Sequence, residues 1–348
     1  MAYAVSTSIT DHSDLMAQVL SFATTYAGFT QDEWNATNKY MSLHRGNCYV
    51  HFWWDDTSGS AFGSSIGMYQ SLGYAGPGVE PWQHTTDSQS GSNAEGNMDR
   101  ERGIKFIGDG PFTSLHMFGN DDAAEYVVYC VLEFAPGLYR HFGFGQIAKN
   151  GTWTGGEWCG GHHWNLEDKA DVVAYGGHSI LLDGGYYYAG ETEETRVNAT
   201  MRAVGLPNQS TENTNWCVVG HIYSHYTYGV DGQETKGRDG NIRSVIGGGI
   251  RKGVSMEQYA WLTPNLTKGY LPIIPIDLWY QGTYTMTNGL RYYLGRMVNI
   301  GMINLTAFDP AQEVTVGSDT WMVFPAVRKS KVSGDNQESK YIGIIYKK

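Results

Sequence analysis

The segment EWCGGHHWNLED, residues 157–168, concentrates side chains that can bind a metal or take part in catalysis. Cys159, His162 and His163 offer sulfur and imidazole ligands, but a closed zinc site needs four ligands in tetrahedral geometry. Adjacent histidines in a strand point to opposite faces, so His162 and His163 would not converge on one ion. The segment does not complete a zinc site by itself, and metal binding with help from distant residues such as Cys217 or His221 stays open.

A structural interpretation of the same segment is favoured. Trp153, Trp158 and Trp164 are large side chains of the kind that anchor cores and interfaces. We predict that residues 157–168 form a Gly-rich turn whose tryptophans pack within the subunit or against a neighbour. The histidines are then hydrogen-bonded polar groups at the rim of that packing.

Hydrolase chemistry has one nominal motif in the sequence, GSSIG at residues 63–67, which places Ser65 in a Gly-x-Ser-x-Gly pattern. A nucleophile elbow needs a hydrophobic strand before the serine and a helix after it. The preceding residues, DDTSGSAF, are polar and typical of a turn, so we attribute the match to chance. We predict that the protein is not an enzyme, with no catalytic, cofactor-binding or metal-binding residues.

Carboxylates do not change that prediction. Two positioned carboxyl groups would suffice for a glycosidase, and the chain has 35 Asp and Glu residues, but none is singled out by its setting. Glu191, Glu193 and Glu194 are typical of a solvated rim. The GGG at residues 247–249 is not followed by the Gly-Lys-Ser/Thr of a phosphate-binding loop. A glycan hydrolase is therefore the least favoured of the functional hypotheses.

Aromatic clusters give the sharpest non-catalytic alternative. WWDD at residues 53–56, GGYYYAG at 184–190 and YSHYTYG at 223–229 contain rings that can stack on sugars. On this hypothesis the protein is a host-surface glycan-binding module, in which Tyr186, Tyr187 and Tyr188 contribute to recognition. The favoured interpretation is that these rings fill a β core or a protein interface.

Composition narrows the class of protein further. Among 348 residues only 17% are charged, whereas there are 45 Gly, 24 Tyr and 11 Trp. Aromatic enrichment with few charges is typical of surfaces that partners cover. The net charge of −11 argues against binding to nucleic acid or anionic lipid. The first fifteen residues do not form a signal peptide, and no apolar run is long enough for a membrane span.

The hydrophobic pattern predicts a mainly β protein, with antiparallel strands in sandwich-like sheets, a short N-terminal helix and long Gly- and aromatic-rich loops. Leu15, Val19 and Phe22 follow at helical spacing, with Asp11 or Ser13 as the cap and Gly28 at the end. MSLHRGNCYVHFWW predicts a strand pair about Arg45-Gly46-Asn47. Further strands are expected in the segments SLHMFG, LYRHFGFGQIAK, HSILLDG, WCVVGHIYSHYTY, IRSVIGG, GYLPIIPIDLWYQG, LRYYLGRMVNIGM, EVTVG, TWMVFPAV and KYIGIIYK.

One strand stands out from this set. In EYVVYCVLEF, residues 125–134, the side chains of both alternating sets are largely apolar or aromatic. One set is Tyr126, Val128, Cys130, Leu132 and Phe134. We predict a central strand with both faces covered, followed by a turn at Pro136-Gly137.

The chain divides into five regions by composition. An N-terminal helix with strands occupies residues 1–54, and a polar Gly/Ser-rich irregular segment occupies 55–103. A central β block covers 104–184, an insertion-rich loop region covers 185–255, and a C-terminal β region covers 256–348. We expect one or two intertwined β domains overall.

Three stretches together resemble a family of tailed-bacteriophage virion proteins. DLMAQVLSFATTYAGFTQDEW, residues 14–34, is similar to the helix and turn that open the family. EYVVYCVLEFAPGLYRHFGFGQIAKNGTWTGGEW, residues 125–158, is similar to its strand–turn–strand block. The third stretch runs from LPIIPIDLWY at residue 271, through TWMVFPAVRK, to the final YIGIIYKK, and is similar to the family's ending.

The resemblance implies a structural component of a virion, in the tail, the baseplate or next to the neck. It implies a homo-oligomer that contacts other virion proteins, assembled in the cytoplasm of a bacterial host, with no catalytic residues to carry over. Arg140, His141, Trp153, Gly155, Gly156 and Trp158 are then the family-like centre of the fold, with a scaffold role. Trp164 and Tyr186, Tyr187 and Tyr188 complete the predicted interface and scaffold residues.

Overall fold

The computed structural model describes residues 1–55, 65–84, 104–107, 110–161, 199–204, 216–221, 241–244, 271–281, 291–325 and 342–348. The predicted fold class is confirmed: the protein is mainly β, its strands pair antiparallel with one exception, and a helix lies near the N-terminus. Within the described residues, no helix is long and apolar enough to cross a membrane.

The described elements comprise a helix, a 3₁₀ turn and strands that are numbered here in chain order. The helix α1 spans His12–Tyr26, and the 3₁₀ turn spans Leu305–Ala307. The strands are β1 (Ala2–Ser6), β2 (Thr30–Asn35), β3 (Tyr40–Arg45), β4 (Cys48–Asp55), β5 (Ser65–Ser71), β6 (Ile104–Ile107), β7 (Ser114–Asn120), β8 (Val127–Ala135), β9 (Leu138–Gln146), β10 (Ala148–Lys149), β11 (Thr154–Gly161), β12 (Ala199–Val204), β13 (Trp216–His221), β14 (Asn241–Ser244), β15 (Ile274–Gln281), β16 (Arg291–Asn304), β17 (Gln312–Val316), β18 (Asp319–Pro325) and β19 (Ile342–Lys347).

The helix α1 forms where the spacing of apolar residues predicted it. The side chain of Asp11 caps its first turn by accepting a hydrogen bond from the backbone N–H of Asp14, at 2.8 Å. Leu15, Val19 and Phe22 are buried on one face. Gly28 follows the last turn with a φ of 65°, which glycine adopts without strain.

The small sheet consists of β2-β3-β4-β5-β6 in that order, and every neighbouring pair is antiparallel. Its β3–β4 hairpin turns at Gly46-Asn47, as predicted, with Arg45 opposite Cys48. The prediction of an irregular segment over 55–103 is wrong in part, because residues 65–71 form β5. That strand pairs with β4 from Tyr49 to Asp55, and its apolar side chains Ile66 and Met68 are buried.

The large sheet has fourteen strands in the described part of the chain. Its order is β1-β7-β8-β9-β11-β12-β13-β14-β15-β16-β19-β18-β17, with β10 pairing with β16. The pair β13–β14 is parallel, which the prediction of antiparallel strands did not include. The sheet folds over on itself, because side chains from β7, β8 and β11 pack face to face with those of β16, β18 and β19.

Two hydrophobic cores lie on the two sides of the β7-β8-β9-β11 layer. The inner core, between this layer and β15–β19, includes Tyr129, Trp158 and Tyr346. The outer core, between the same layer and α1 with the small sheet, includes Leu15, Val50 and Phe144. The strand β8 therefore has both faces covered, as predicted: its odd-numbered Val127, Tyr129 and Val131 join the inner core, and its even-numbered residues join the outer core.

The structure corrects the first part of the turn predicted at residues 157–168, whereas residues 162–168 lie outside the described residues. Residues 157–161 are the end of β11, which pairs with β9 on one side and β12 on the other. Trp158 points into the inner core and Cys159 into the outer core, so adjacent side chains serve different layers. The glycines led to the prediction of a turn, but in β11 these small residues allow the neighbouring strands to approach closely.

Candidate functional site

The predicted centre of the fold lies on β9 and β11. Arg140 and His141 are consecutive residues of β9, and Gly155, Gly156 and Trp158 belong to the adjacent β11. The structure therefore brings these residues onto two paired strands. Trp153 precedes β11, is half-buried, and donates a hydrogen bond from its indole N–H to the carbonyl of Asn150 at 3.0 Å.

His141 connects distant parts of the chain. Its Nε2 donates to the carbonyl oxygen of Pro325, at 2.9 Å, and its Nδ1 accepts from the hydroxyl of Tyr346, at 2.7 Å. The rings of His141 and Tyr346 are also stacked, with 5.9 Å between centroids. Burial lowers the pKa of His141 to about 4, and the nearby charge of Arg140 acts in the same direction. The neutral imidazole thus joins β9 to β18 and β19 across the inner core.

Gly155 and Gly156 are positioned by backbone geometry that other residues would not tolerate. Both have positive φ, 118° and 99°. A Cβ on Gly155 would lie 2.2 Å from the carbonyl oxygen of Arg202 on β12. The register between β11 and β12 shifts between Gly155 and Trp158, so the two glycines form an irregularity that lets Trp158 enter the inner core.

Arg140 and Glu157 place ionisable groups in buried positions beside this centre. The guanidinium of Arg140 lies 4.6 Å from the centroid of the Phe134 ring, and only 3% of the residue is exposed. Burial lowers its pKa to about 10. The Nη1 atom of Arg202 lies 3.8 Å from Glu157 Oε1, which pairs two charges of β11 and β12. These contacts connect β9 with β8 and β11 with β12.

Several predicted residues fall elsewhere. Trp164, Tyr186, Tyr187 and Tyr188, together with His162 and His163, lie outside the residues that the structure describes. The predicted sugar-stacking segment at residues 223–229 also lies outside the described residues. Trp53 and Trp54 are each 1% exposed, so they fill cores, as the favoured interpretation held. Within the described ranges, no three His, Cys, Asp or Glu side chains form a group that could hold a metal ion.

A second polar cluster, which sequence reasoning missed, lies on the face of the small sheet opposite the outer core. Ser42, His51 and Ser71 stand on the adjacent strands β3, β4 and β5 and are fully buried. His84 comes from residues 73–84, which we call the covering segment. The rings of His51 and His84 are stacked, with 4.0 Å between centroids and 26° between planes.

These four side chains form one continuous chain of hydrogen bonds. His84 Nε2 lies 3.3 Å from Ser42 Oγ, which lies 2.9 Å from His51 Nδ1. His51 Nε2 lies 2.6 Å from Ser71 Oγ. Both ends reach the backbone of the covering segment: Ala75 N–H donates to His84 Nδ1 at 3.3 Å, and Ser71 Oγ donates to the carbonyl of Gly73 at 2.6 Å.

The surroundings of this hydrogen-bond chain favour neutral imidazoles. Burial lowers the pKa of His51 well below its usual value, and the neighbouring His84 lowers it further. Burial also lowers the pKa of His84 to about 4, although the carboxylate of Glu33 opposes this shift. Glu33 is itself held by the Tyr74 hydroxyl at 3.1 Å and the Gly78 N–H at 3.0 Å.

Ser42 and His51 are the kind of pair that nucleophilic catalysis uses, because a serine hydroxyl lies within hydrogen-bond distance of an imidazole. In a catalytic triad a carboxylate orients the second nitrogen of the histidine. Here that nitrogen faces the hydroxyl of Ser71, and Ser42 and His51 are both completely buried beneath the covering segment. The arrangement holds structure together instead of presenting a nucleophile to a substrate.

A fourth histidine, His116, also has hydroxyl groups as the partners of both ring nitrogens. Its Nδ1 lies 2.9 Å from the Tyr3 hydroxyl and its Nε2 lies 3.3 Å from Ser114 Oγ, while that hydroxyl donates to Glu133 at 3.1 Å. The carboxylate therefore orients the serine and not the histidine, which is the reverse of triad order. Burial lowers the pKa of His116 to about 4.

The sequence contained one signal for the hydrogen-bond chain. In the predicted β3–β4 hairpin, Ser42 and His51 are register partners on the face opposite Met41 and Phe52. A polar pair directly opposite each other on a hairpin in which both faces are covered requires polar partners. Ser71 and His84 could not be added, because their strand and covering segment lay in the region predicted to be irregular.

None of the known protein-family models matches this chain, and no curated protein sequence matches it.

Proposed function

We propose that this protein is a structural component of a tailed-phage virion, a tail or baseplate protein that self-assembles and contacts neighbouring virion proteins. The observation that carries the proposal is that the stretches resembling that family contact one another. His141, in the middle stretch, is hydrogen-bonded to Pro325 and Tyr346 in the last one. In the first stretch, the ring of Phe29 contacts the rings of Tyr126 and Phe144 in the middle one, with 5.7 Å and 5.1 Å between centroids.

The proposed role of the β9–β11 centre is that of a scaffold. Arg140, His141 and Trp158 are buried and hold strands or layers together, and the glycines permit the close approach of β11 to β12. Such residues position surfaces and do not need to meet a substrate. This supports a non-catalytic assignment, in which function resides in what the rigid β framework presents to neighbours.

The surface of the framework supports self-assembly at one edge. Of the strands at the ends of the two described sheets, β1 is the one with no charged residue, whereas β17, β2 and β6 each contain at least one. Two of the exposed large hydrophobic residues in the described structure, Met1 at 38% and Val5 at 48%, belong to this edge. An uncharged edge strand is a template for pairing with another chain.

Mass spectrometry of purified particles of the phage that encodes this chain tests the proposal. The protein is expected in the particles at a fixed copy number relative to a tail-tube protein, after assembly in the host cytoplasm. Its absence from washed particles, with the protein abundant in the infected-cell lysate, would contradict a virion role. A known tail protein quantified in the same sample controls for particle recovery.

A further inference from the structure

The hydrogen-bond chain through His84, Ser42, His51 and Ser71 has a direction that its two ends impose. At one end the backbone N–H of Ala75 can only donate, so His84 Nδ1 is an acceptor. A neutral imidazole with an accepting Nδ1 carries its proton on Nε2, and that proton points to Ser42 Oγ. Ser42 then has its own proton to give, and His51 Nδ1 accepts it.

The other end of the hydrogen-bond chain independently imposes the same direction of donation. The carbonyl of Gly73 can only accept, so the hydroxyl of Ser71 donates to it. Ser71 Oγ must then accept from His51 Nε2, which places the proton of His51 on Nε2 and leaves Nδ1 as the acceptor. Both histidines are therefore assigned as Nε2–H tautomers, and each hydroxyl and each imidazole donates once along the chain.

An additional proton does not fit into this arrangement. On His84 it would sit on Nδ1 and face the N–H of Ala75, donor against donor. On His51 it would take the place that the hydroxyl proton of Ser42 occupies, and that hydroxyl faces a second donor in His84 Nε2. A buried donor without an acceptor costs roughly 1–3 kcal/mol, in addition to the cost of burying the charge.

The covering segment depends on this hydrogen-bond chain, because it supplies both ends. Gly73 and Ala75 bind through their backbone and His84 through its ring. Its other contacts within the described residues include the hydrogen bonds from Tyr74 and Gly78 to Glu33, and the packing of Trp82 against Tyr40, Trp53 and Tyr69. Loss of the hydrogen-bond chain would remove the contacts that hold both Gly73 and Ala75 by their backbone.

We propose that this hydrogen-bond chain is an acid-sensitive switch: it holds the covering segment on the small sheet at neutral pH and releases it when His51 or His84 takes up a proton. Release uncovers the aromatic face formed by Tyr40, Trp53 and Tyr69. The proposal does not depend on the proposed virion role, since it concerns contacts within one chain.

The other ionisable groups on this face do not replace the two histidines in that role. Glu33 and Asp32 stand on β2, where Asp32 binds His44 of β3 at 2.8 Å, and the His44 ring stacks on Tyr49 of β4. Glu33 moderates the response of His84 by attracting its proton. Tyr40, Tyr69 and Tyr74 add phenols, and two further carboxylates belong to Asp55 at the end of β4 and to Glu80 in the covering segment. On β6, Lys105 occupies the register position opposite Gly67.

The sign of the effect follows from the direction of both shifts. The pKa values of His51 and His84 are lower in the folded protein than the ordinary value of about 6.5, so the open segment binds protons more readily. The contribution of both histidines to the closed state is complete above about pH 6.5. The equilibrium constant for closing falls as the pH drops below about 6.5, and the contribution of His84 falls by roughly tenfold per pH unit until the pH reaches about 4.

Hydrogen-exchange mass spectrometry of the full chain at pH 7.5 and pH 4.5, corrected for intrinsic exchange rates, tests the switch. Protection of residues 73–84 is expected to fall at least about tenfold at pH 4.5. Any loss of protection in β8 and β9, where His141 also titrates, should be the same in the unmodified protein and in a variant that lacks His51 and His84. The double variant His51→Gln with His84→Asn should lose the pH dependence in residues 73–84. His44→Gln, on the same face, should keep it.

Nitrogen-15 spectra of the imidazoles in the unmodified protein supply a second readout that needs no variant. At pH 7.5 both His51 and His84 are expected as neutral Nε2–H tautomers. An Nδ1–H tautomer for either ring would overturn the assigned direction. Equal protection of residues 73–84 at the two pH values, or an unchanged pH dependence in the double variant, would overturn the switch itself.

Discussion

Two buried histidines of this protein, His141 and His51, have a similar environment, but their hydrogen-bond partners lie at very different distances along the sequence. Each is completely buried, each has both ring nitrogens in hydrogen bonds, and burial lowers the pKa of both. His141 bonds to residues 184 and 205 positions further along the chain. The side-chain partners of His51, by contrast, lie 9 and 20 positions away.

This difference in sequence separation indicates two different structural roles. Closing a contact between residues far apart in sequence costs more chain entropy than closing a local one. Pro325 and Tyr346 lie on paired strands of the folded large sheet, so the hydrogen bonds of His141 depend on the complete sandwich. The contacts around His51 join neighbouring strands to the segment that follows them and can open locally. Substitutions at the His141 site should therefore affect global stability, and substitutions at the His51 site should affect residues 73–84.

The largest expected effect belongs to the sandwich side of this comparison. Gly155→Ala places a Cβ against the carbonyl of Arg202 at a positive φ, so strain and overpacking together should lower the free energy of unfolding by about 4 kcal/mol. Urea denaturation measures this change. Gly137→Ala, at a φ of 74° but with open space around it, is the matched control and should cost about 1 kcal/mol. Equal costs would argue against close packing of β11 on β12.

His141→Leu should lower the free energy of unfolding by about 3 kcal/mol, because the hydroxyl of Tyr346 and the carbonyl of Pro325 lose their buried partner. Denaturation curves followed by circular dichroism provide the value. His44→Leu, which removes a half-exposed pair with Asp32, should cost below about 1 kcal/mol. A similar cost for both variants would remove His141 from its role between the layers.

The pH dependence of global stability sharpens the comparison further. The folded pKa of about 4 for His141 lies below its ordinary value, so its contribution is complete above about pH 6.5 and is lost as the pH falls toward 4. Removing this titration in His141→Leu should reduce the slope of unfolding free energy against pH by about 1.4 kcal/mol per unit. An unchanged slope in denaturation series between pH 4.5 and 6.5 would contradict the buried neutral imidazole.

Ser71→Ala perturbs the local side of the comparison and should act less strongly. It removes the acceptor of His51 and the donor to Gly73, at a cost of about 1.5 kcal/mol. Hydrogen exchange should place the lost protection in residues 73–84 at neutral pH, with β8 and β9 less affected. A uniform loss over both sheets would show that the two sites are not separable.

The smallest expected effect on stability concerns the edges of the two sheets. The edge strand β2 of the small sheet carries Asp32 and Glu33, whereas β1 of the large sheet has no charge. Val5→Lys should change stability by less than about 0.5 kcal/mol and should abolish self-association in sedimentation experiments. Thr315→Lys, on the exposed side of β17, is the control and should leave association intact. Association that persists in Val5→Lys would exclude β1 as the contact.

Local patterns in the sequence were sufficient for part of this fold. The helix α1 follows from the spacing of Leu15, Val19 and Phe22 after a capping aspartate. The β8–β9 hairpin follows from Pro136-Gly137, and the apolar character of both faces of β8 correctly predicted coverage on both sides. The burial of Trp158 was also predicted. These features depend on neighbours within a few residues, where periodicity carries information.

Features that depend on distant partners could not be read in this way. The strand β5 is composed of SIGMYQS, and its pairing with β4 and β6 makes it a strand. The β11 segment TGGEWCGG contains four glycines, and its second part, EWCGG, was interpreted as a turn, because its strand conformation requires β9 and β12 on either side. The hydrogen-bond chain was missed for the same reason: Ser42 and His84 are 42 residues apart and become neighbours through the covering segment.

Because β8 lies between two cores, its odd-numbered side chains enter the inner core and its even-numbered side chains enter the outer core. A substitution at Tyr129 acts on the sandwich, and one at the adjacent Cys130 acts on the interface with α1 and the small sheet. Inserting one residue into this strand would exchange the two sets and mismatch both interfaces at once. Inserting two would preserve the assignment, so length changes in this strand are expected to be tolerated only in pairs.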